Sequence, residues 1–528
     1  MSEKAGYDVV VVGGGAAGCV VAARLTQDGT RRVLLLEAGP DHRALMPADV
    51  RDGWRPTTRH DWGYVAEPDA AGVARPLPRG KLLGGCSSTN AAVALRGHPA
   101  DYDAWAQAGN DGWSFDEVLP FFTRLENDAD FGEASWHGDG GPLPIRRYRD
   151  DEFTDVSQAG LAALEHAGCT WVPDANAPGA VGVAAVPVNT VHGERISTAL
   201  AYLPSGRSRP NLTVRCDTEV SGVLMERGHA AGVRLASGGE IRAGRVILCA
   251  GAYGSPAVLM RSGIGPAGHL RELGIPVVAD LPGVGANLAD HPAVSIDFGY
   301  DREVRPVPAF QVAATLRSED ADTDGPPDLQ CIVGGPFADG GPGGFFLGVA
   351  LLKPRSRGAV RLRSADPSAA PCIDLGYFRE PADLDRLATG LARIRESAVA
   401  AVAELSCGAE LAPGRDIAHG DPDALREWIR RETWTYHHPV GTCAMGPASG
   451  TGAVVDAAGS VHGIDGLSVA DASVMPDIPS ANTHIPAVMI AERIAALLVT
   501  RGTGVARAWP HGQTGPDSTH SRPSWPEQ

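Results

Sequence analysis

The sequence predicts a two-domain α/β protein. One domain is Rossmann-like, a parallel sheet with helices and a β-meander; the other is an α+β domain built on an antiparallel sheet. Three observations lead there. The chain opens with a strand, a glycine loop, a helix and a second strand over Tyr7 to Glu37. Residues 211–250 alternate apolar and polar and end in the apolar run Val246–Cys249, the pattern of a meander that returns to a buried sheet. Residues 300–430 change character: Gly and Pro clusters surround GGPFADGGPGGFFLGVALLKPRSRGAVRLRS, which reads as strands of a separate sheet.

The first unit carries the most information. Val9 to Val12 form an apolar run suited to a strand buried on both faces. Gly13, Gly15 and Gly18 follow in the spacing G-x-G-x-x-G, with Ala16 and Ala17 between them. Gly13 permits a tight turn, Gly15 lets the backbone approach a pyrophosphate, and Gly18 lets the next helix pack closely on the strand. That helix is expected through CVVAARLTQDG. A second strand, Val33 to Leu36, ends in Glu37 and Ala38, where the acid is placed to accept from a ribose hydroxyl. The glycine motif alone is weak; the whole unit in order points to a bound dinucleotide.

A second glycine-containing stretch, RGKLLGGCSSTNAAVALRG, spans Arg79 to Gly97. Gly84, Gly85 and the small residues from Cys86 through Ser87 to Thr89 suit a backbone that hugs a flat ligand, and Asn90 is expected to open a helical AAVAL segment. Trp105, Trp113 and Trp136 read as packing residues, and 161–168 as a short helix. GAYGSPAVLMRSGIGP reads as a loop followed by a helix, and further helices are expected at 382–404 and 422–432. The acidic run EDADTDGPPD is expected to be a solvated loop, with a cation-attracting entry loop as the alternative. Residues 508–528 read as a disordered tail.

Composition bounds the function. The chain has 528 residues, room for more than one domain, and is 43% hydrophobic and 21% charged, as globular proteins are. A net charge of −17 argues against nucleic acid and anionic membrane surfaces. No apolar run is long enough for a membrane span, and no signal peptide is expected from MSEKAGYD. Nine dispersed cysteines without a C-x-x-C pair argue for reduced thiols in a cytoplasm and against a metal framework.

Four separated stretches together resemble the glucose-methanol-choline (GMC) oxidoreductases: the N-terminal fingerprint, GGCSSTNAAVALRG, GAYGSPAVLMRSGIGP, and the C-terminal pair HHPVGT and NTHIP. The resemblance implies a glucose-oxidase-like architecture, FAD, and oxidation of an alcohol at the flavin. It implies a discontinuous FAD domain from 1–150, 200–300 and 435–505, with 151–199 and 301–434 forming the substrate domain. It further implies that Gly13, Gly15 and Gly18 hold the diphosphate and Glu37 the adenosine ribose. Gly85, Ser87, Asn90 and Ala91 would lie along the flavin, and Val220 would meet the adenine region. Asp471 and Ala472 would contact the ribityl and diphosphate part, and Ile485 and Pro486 the pyrimidine edge.

One departure is informative. Members with covalent flavin carry a His directly before the Asn of the second stretch, whereas here that residue is Thr89, which has no imidazole nitrogen to bond the flavin. Non-covalent FAD is expected.

Alcohol oxidation by a flavin removes a proton from oxygen and a hydride from carbon, and histidine suits the base without large tuning. The motif match gives His438 as the base and His484 as the partner that orients the alcohol oxygen. The adjacent His437 is left as a pocket residue, with Phe345, Phe346, Trp428 and Trp434 as candidate walls, and Asn482 is expected to orient its loop rather than touch substrate. A zinc reading of the three histidines is weak, since no carboxylate or thiol sits at ligand spacing. The expected partners are a small-molecule alcohol and molecular oxygen or another electron acceptor, with oxidase and dehydrogenase both open. The alcohol itself stays open between a cationic polyol or amino sugar and an aryl or furanic primary alcohol, with further oxidation of the aldehyde to the acid possible. A choline-type dehydrogenase is an alternative, less favoured with His at 484. A lyase acting on cyanohydrins is an alternative of another class.

Overall fold

The computed structural model describes residues 6–203, 209–337, 343–403, 405, 410–414, 417 and 422–502. The tail at 508–528 and Cys407 lie outside the described residues. No described helix is long and apolar enough to cross a membrane.

Strand β1 (Tyr7–Val12) is the centre of a seven-stranded sheet. It pairs in parallel with β2 (Val33–Leu36) on one side and with the strand Glu240–Leu248 on the other. Leu212–Arg215 extends the parallel array beyond β2, and Leu467–Val469 extends it beyond Glu240–Leu248. Val10 and Val11 are fully buried, as a strand covered on both faces requires. Glu240–Leu248 does two jobs. Its last residues join the parallel sheet, while its first pair antiparallel with His229–Leu235, which in turn pairs with Val220–Glu226. This is the expected meander. Helix α1 (Ala16–Leu25) starts three residues earlier than the motif suggested, directly after Gly15.

A second, antiparallel sheet runs in the order Glu410–Ala412, Pro292–Tyr300, Gly343–Leu351, Leu329–Phe337, Val312–Leu316 and Val183–Ala185. Trp434–Thr435 pairs with the start of Pro292–Tyr300. The segment 292–300, expected with the cofactor domain, therefore hydrogen-bonds into the other sheet. One face of this sheet packs on helices Asp155–His166 and Pro381–Ala401 through residues such as Val333, Leu347, Leu164 and Leu391. The opposite face carries Ala293, Ile332, Ala350 and Phe346. It looks toward the cavity.

Two local expectations change. No helix forms at Ala91–Leu95. Gly85–Ser88 makes a short 3-10 turn, the Asn90 side chain accepts from the Ala92 N–H, and Ala92 takes a left-handed φ of 56°. The chain then runs extended, with Val93 bridging to Val188 and the Ala94 N–H bonded to Pro187. A helix would have forfeited that pairing. At Gly251 the structure is already helical, Gly251–Arg261, with no preceding loop. In the acidic run, Asp328 is buried against Arg386 and caps Ser318, while Glu319 and Asp320 are exposed.

A buried polar cluster ties 96–174 together. His137 sits among Glu126, Asp128 and Asp174, and the Arg96 and Arg147 guanidiniums face the same carboxylates. Burial disfavours the His137 charge, but hydrogen bonds to Asp174 and Glu126 outweigh it and raise the pKa. Two guanidiniums and the imidazole thus share three carboxylates. The trio Glu126, Asp128 and His137 lies close enough to ligate a metal, but arginines already neutralise its acids.

Candidate active site

A cavity of about 740 Å³ runs from the glycine loop of β1–α1 to the C-terminal histidines. At one end it is lined by Gly13, Gly15, Ala16, Ala17, Glu37, Ala38, Gly85, Asn90, Ala91, Val220, Asp471 and Ala472. At the other stand His437, His438 and His484, with Phe310, Ile332, Phe346, Trp434, Tyr436 and Asn482.

The glycines explain the cofactor end. Gly13 has φ +97°, and a Cβ there would lie 2.5 Å from the Cys249 carbonyl oxygen. A Cβ on Gly18 would lie 1.8 Å from the Gly13 carbonyl oxygen. Gly18 therefore sets the helix against the loop and does not line the cavity. Gly15 differs: its missing Cβ leaves open space, with only the Gly85 Cα at 3.9 Å. Helix α1 begins at that gap without a side-chain cap, so its first N–H groups are available to an anion. Glu37 accepts from the N–H groups of Gly14 and Gly39, each at 2.8 Å, and burial pushes its pKa up to about 7 against those hydrogen bonds. Asp471 accepts from the Gly251 N–H at 2.9 Å and the Ser255 hydroxyl at 2.6 Å, and burial raises its pKa too. An open cradle, an uncapped helix start and a long channel to the histidines fit an extended FAD.

Some expected residues stand elsewhere. Ser87 turns away from the cavity and bonds the Gly84 carbonyl at 2.6 Å and the Thr198 hydroxyl at 3.0 Å. Ile485 and Pro486 do not line it; their helix, His484–Gly502, presents His484 and Ala487 instead. Phe345 is a correction with a simple cause. Successive residues of Gly343–Leu351 face opposite sides of the sheet, so Phe346 reaches the cavity while Phe345 stacks on Phe298 in the core at 5.3 Å. Trp428 packs against that same core and is not a wall.

His438 is buried, 8% exposed. Its Nε2 lies 3.1 Å from Asn482 Nδ2 and its Nδ1 lies 3.0 Å from His291 Nδ1. Asn482 therefore touches the histidine instead of only shaping its loop. The His438 backbone N–H donates to Asp290 at 2.8 Å. Burial, with His291, His437 and Arg79 nearby, holds the His438 pKa well below the usual imidazole range. Burial lowers His484 to about 4. Its Nε2 is buried without a hydrogen-bond partner. His437 takes a left-handed φ of 68°, its carbonyl accepts from Arg79 at 2.9 Å, and burial with Arg79 lowers its pKa to about 3. Burial thus disfavours the charged form of all three imidazoles.

Asp290 and His291 were not singled out from the sequence. Asp290 accepts from the hydroxyls of Thr435 and Tyr377 as well as from the His438 backbone. The only available signal was a polar Asp-His pair in ANLADHP, directly ahead of a strand. Phe310 and Tyr436 were also missed, since single aromatics carry no positional mark. The Tyr436 ring meets His438 edge-on at 4.7 Å.

Comparison with known proteins agrees with this arrangement. Residues 7–293 and 354–491 match the N- and C-terminal parts of a family described as GMC oxidoreductase. The 5-(hydroxymethyl)furfural oxidase of Methylovorus sp. (strain MP688) is 38% identical, covering 94% of this chain and 99% of its own. Oxygen-dependent choline dehydrogenase 1 of Chromohalobacter salexigens is 35% identical over 94% of this chain and 95% of its own. The crystal structure of pyridoxine 4-oxidase from Mesorbium loti superposes with a TM-score of 0.86 at 32% identity, covering 93% of this chain and 99% of that one. With both halves of the family matched in order and a cavity shaped for the cofactor, the chain belongs to the GMC oxidoreductases, FAD-dependent enzymes that oxidise CH–OH groups.

Proposed function

We propose that this enzyme oxidises the primary alcohol of a flat, uncharged aromatic or furanic substrate, with His438 as the base. The observation that carries the proposal is the make-up of the histidine end. Phe310, Phe346, Trp434 and Tyr436 wall it. Among the described residues the acids lining the cavity are Glu37, Glu219 and Asp471. These are held by Gly14 and Gly39, by Lys81, and by Gly251 and Ser255 respectively. No carboxylate is left to meet a quaternary ammonium or an amino sugar, and Arg79 adds a positive charge to the lining. A buried cation without a counterion is costly. The name of the furfural oxidase relative points to the same class.

Bound FAD supplies the two-electron acceptor. The chain supplies the rest. The alcohol oxygen sits between His438 Nε2, which accepts its proton, and His484 Nε2, which is free to donate to it as negative charge develops. The aromatic walls hold the ring and exclude water. Asn482 keeps Nε2 of His438 turned toward the cavity. Molecular oxygen is proposed as the second substrate, since relatives in both comparisons carry oxidase names.

Anaerobic mixing of the FAD-loaded enzyme with a panel of 5-hydroxymethylfurfural, benzylic alcohols, choline and an amino sugar tests the reading. The furanic and benzylic alcohols are expected to bleach the flavin band fastest. Fastest bleaching by choline or the amino sugar would refute the substrate class, and cyanide release without bleaching would refute alcohol oxidation. Peroxide formed in air identifies an oxidase.

A further inference from the structure

His291 has no part in the proton transfer described above, yet its ring is fully buried against the proposed base. The two imidazoles meet edge to face, 5.2 Å between centroids at 82°. Their Nδ1 atoms are 3.0 Å apart. Two lone pairs or two N–H groups at that distance repel, so the contact holds one proton. Which ring owns it follows from the other side of His438. There the Asn482 amide NH₂ points at Nε2 from 3.1 Å, so Nε2 carries a lone pair. The His438 proton is then on Nδ1, directed at His291, and the proton of neutral His291 is on its own Nε2. The Leu352 and Pro479 backbones lie near the His291 ring, but its Nε2 is buried without a hydrogen-bond partner, so the assignment rests on the Nδ1 side and on Asn482.

Both rings hang on one carboxylate. Asp290 Oδ1 accepts from the backbone N–H of His291 at 2.9 Å and of His438 at 2.8 Å. Asp290 Oδ2 is bound by Tyr377 at 2.9 Å and by Thr435. The pair is thus fixed through backbone and side chain alike.

We propose that His291 is a positioning residue whose Nδ1 accepts the Nδ1 proton of His438 and so keeps the His438 Nε2 lone pair facing the alcohol. The alcohol O–H takes the place of the Asn482 N–H at the one Nε2 lone pair, and the O–H bond breaks as the Nε2–H bond forms. His438 becomes an imidazolium whose Nδ1–H stays bound to His291, and no proton passes to His291. A carboxylate in this place would also orient the ring, but its charge would raise the basicity of His438. A neutral imidazole orients without adding charge, so the base stays unprotonated until substrate arrives. Where a buried acid holds a catalytic imidazole in serine proteases, the wrong tautomer costs about 10⁴ in rate. The inference rests on His438 being the base.

Two measurements test it on the FAD-loaded enzyme. The first is the nitrogen spectrum of ¹⁵N-histidine-labelled protein, with His438 assigned by its absence in H438Q. His438 is expected to carry its proton on Nδ1; a proton on Nε2 overturns the proposal, and this reading needs no variant of His291 to fold. The second is flavin reduction at saturating alcohol. H291L is expected to slow it by about 10²- to 10⁴-fold with FAD content retained and KM nearly unchanged. H291N, whose amide oxygen can accept the same proton, should recover at least tenfold. Wild-type reduction in H291L overturns the proposal. Failure of the base assignment is distinguishable: H438A would then reduce flavin normally while the nitrogen spectrum still reports on the His438–His291 contact.

Discussion

At the scale of single residues, the candidate site is marked by imidazoles whose charged form burial disfavours. If His438 is the base, His438→Ala is expected to lower the rate of flavin reduction by about 10²- to 10⁴-fold while FAD stays bound, because the glycine fingerprint proposed to hold the cofactor is a separate part of the cavity lining. Stopped-flow reduction, together with the flavin-to-protein absorbance ratio, checks both halves of that statement. Thr89 lines the same cavity and offers only a hydroxyl. Acid precipitation of the enzyme should therefore release all of its flavin into solution, and yellow colour left on the pellet would contradict this. Gly85 makes the opposite kind of prediction. A Cβ at that position would lie 2.7 Å from the Gly15 Cα, on backbone with a φ of 51°. Gly85→Val should yield protein with little flavin, read from the same absorbance ratio.

At the scale of elements, the alternation of one strand separates specificity from stability. In Gly343–Leu351, Phe346 faces the cavity and Phe345 faces the helices beneath the sheet. Phe346→Ala should change KM for bulky aromatic alcohols with a modest effect on unfolding. Phe345→Ala should leave KM near its original value and cost about 3–5 kcal/mol of stability, the usual range for deleting a buried phenylalanine. Urea denaturation and a substrate series distinguish the two. The polar cluster around His137 is a second element-level device. Arg147 bonds Asp128 and Asp174 with its own side chain almost wholly buried. Arg147→Met leaves two buried carboxylates short of a cation, and about 3–5 kcal/mol of destabilisation is expected from denaturant unfolding.

At the scale of the whole molecule, the buried histidines set the acid limit. His291 and His437 have pKa values lowered to about 3, His484 to about 4, and His438 well below the ordinary value, all chiefly by burial. In the unfolded chain these groups titrate near 6.5. Between those limits the unfolded state binds more protons, so their contribution to stability is complete above about pH 6.5 and is lost progressively as pH falls toward about 3. Denaturation midpoints at pH 7.5 and pH 5 should differ in that direction. A midpoint unchanged between them would mean that these imidazoles are not buried in the neutral form.

Much of this was legible in the linear chain, because the signals were local. Val9 to Val12, Gly13, Gly15 and Gly18 encode a buried strand and a tight turn within a dozen residues, and the meander shows its alternation directly. His438 and His484 were legible through the motifs that flank them. Elsewhere the local signal pointed the wrong way. Asn90 looks like a helix cap, but Ala94 finds its hydrogen-bond partner at Pro187, nearly a hundred residues away. Phe345 and Phe346 are indistinguishable in sequence, and only the pairing of their strand with Pro292–Tyr300 and Leu329–Phe337 decides which one faces the cavity.

The sequence by itself thus determined the cofactor loop, the two-sheet class and the pair of histidines, since each rests on residues close together in the chain. The tertiary structure alone decided that Asn482 and His291 both contact His438, and that among the described residues no unpaired carboxylate lines the cavity beside the aromatic walls. Those facts depend on side chains from five distant segments converging on one cavity, where burial makes every unpaired charge costly and fixes each proton by the hydrogen bond it can make.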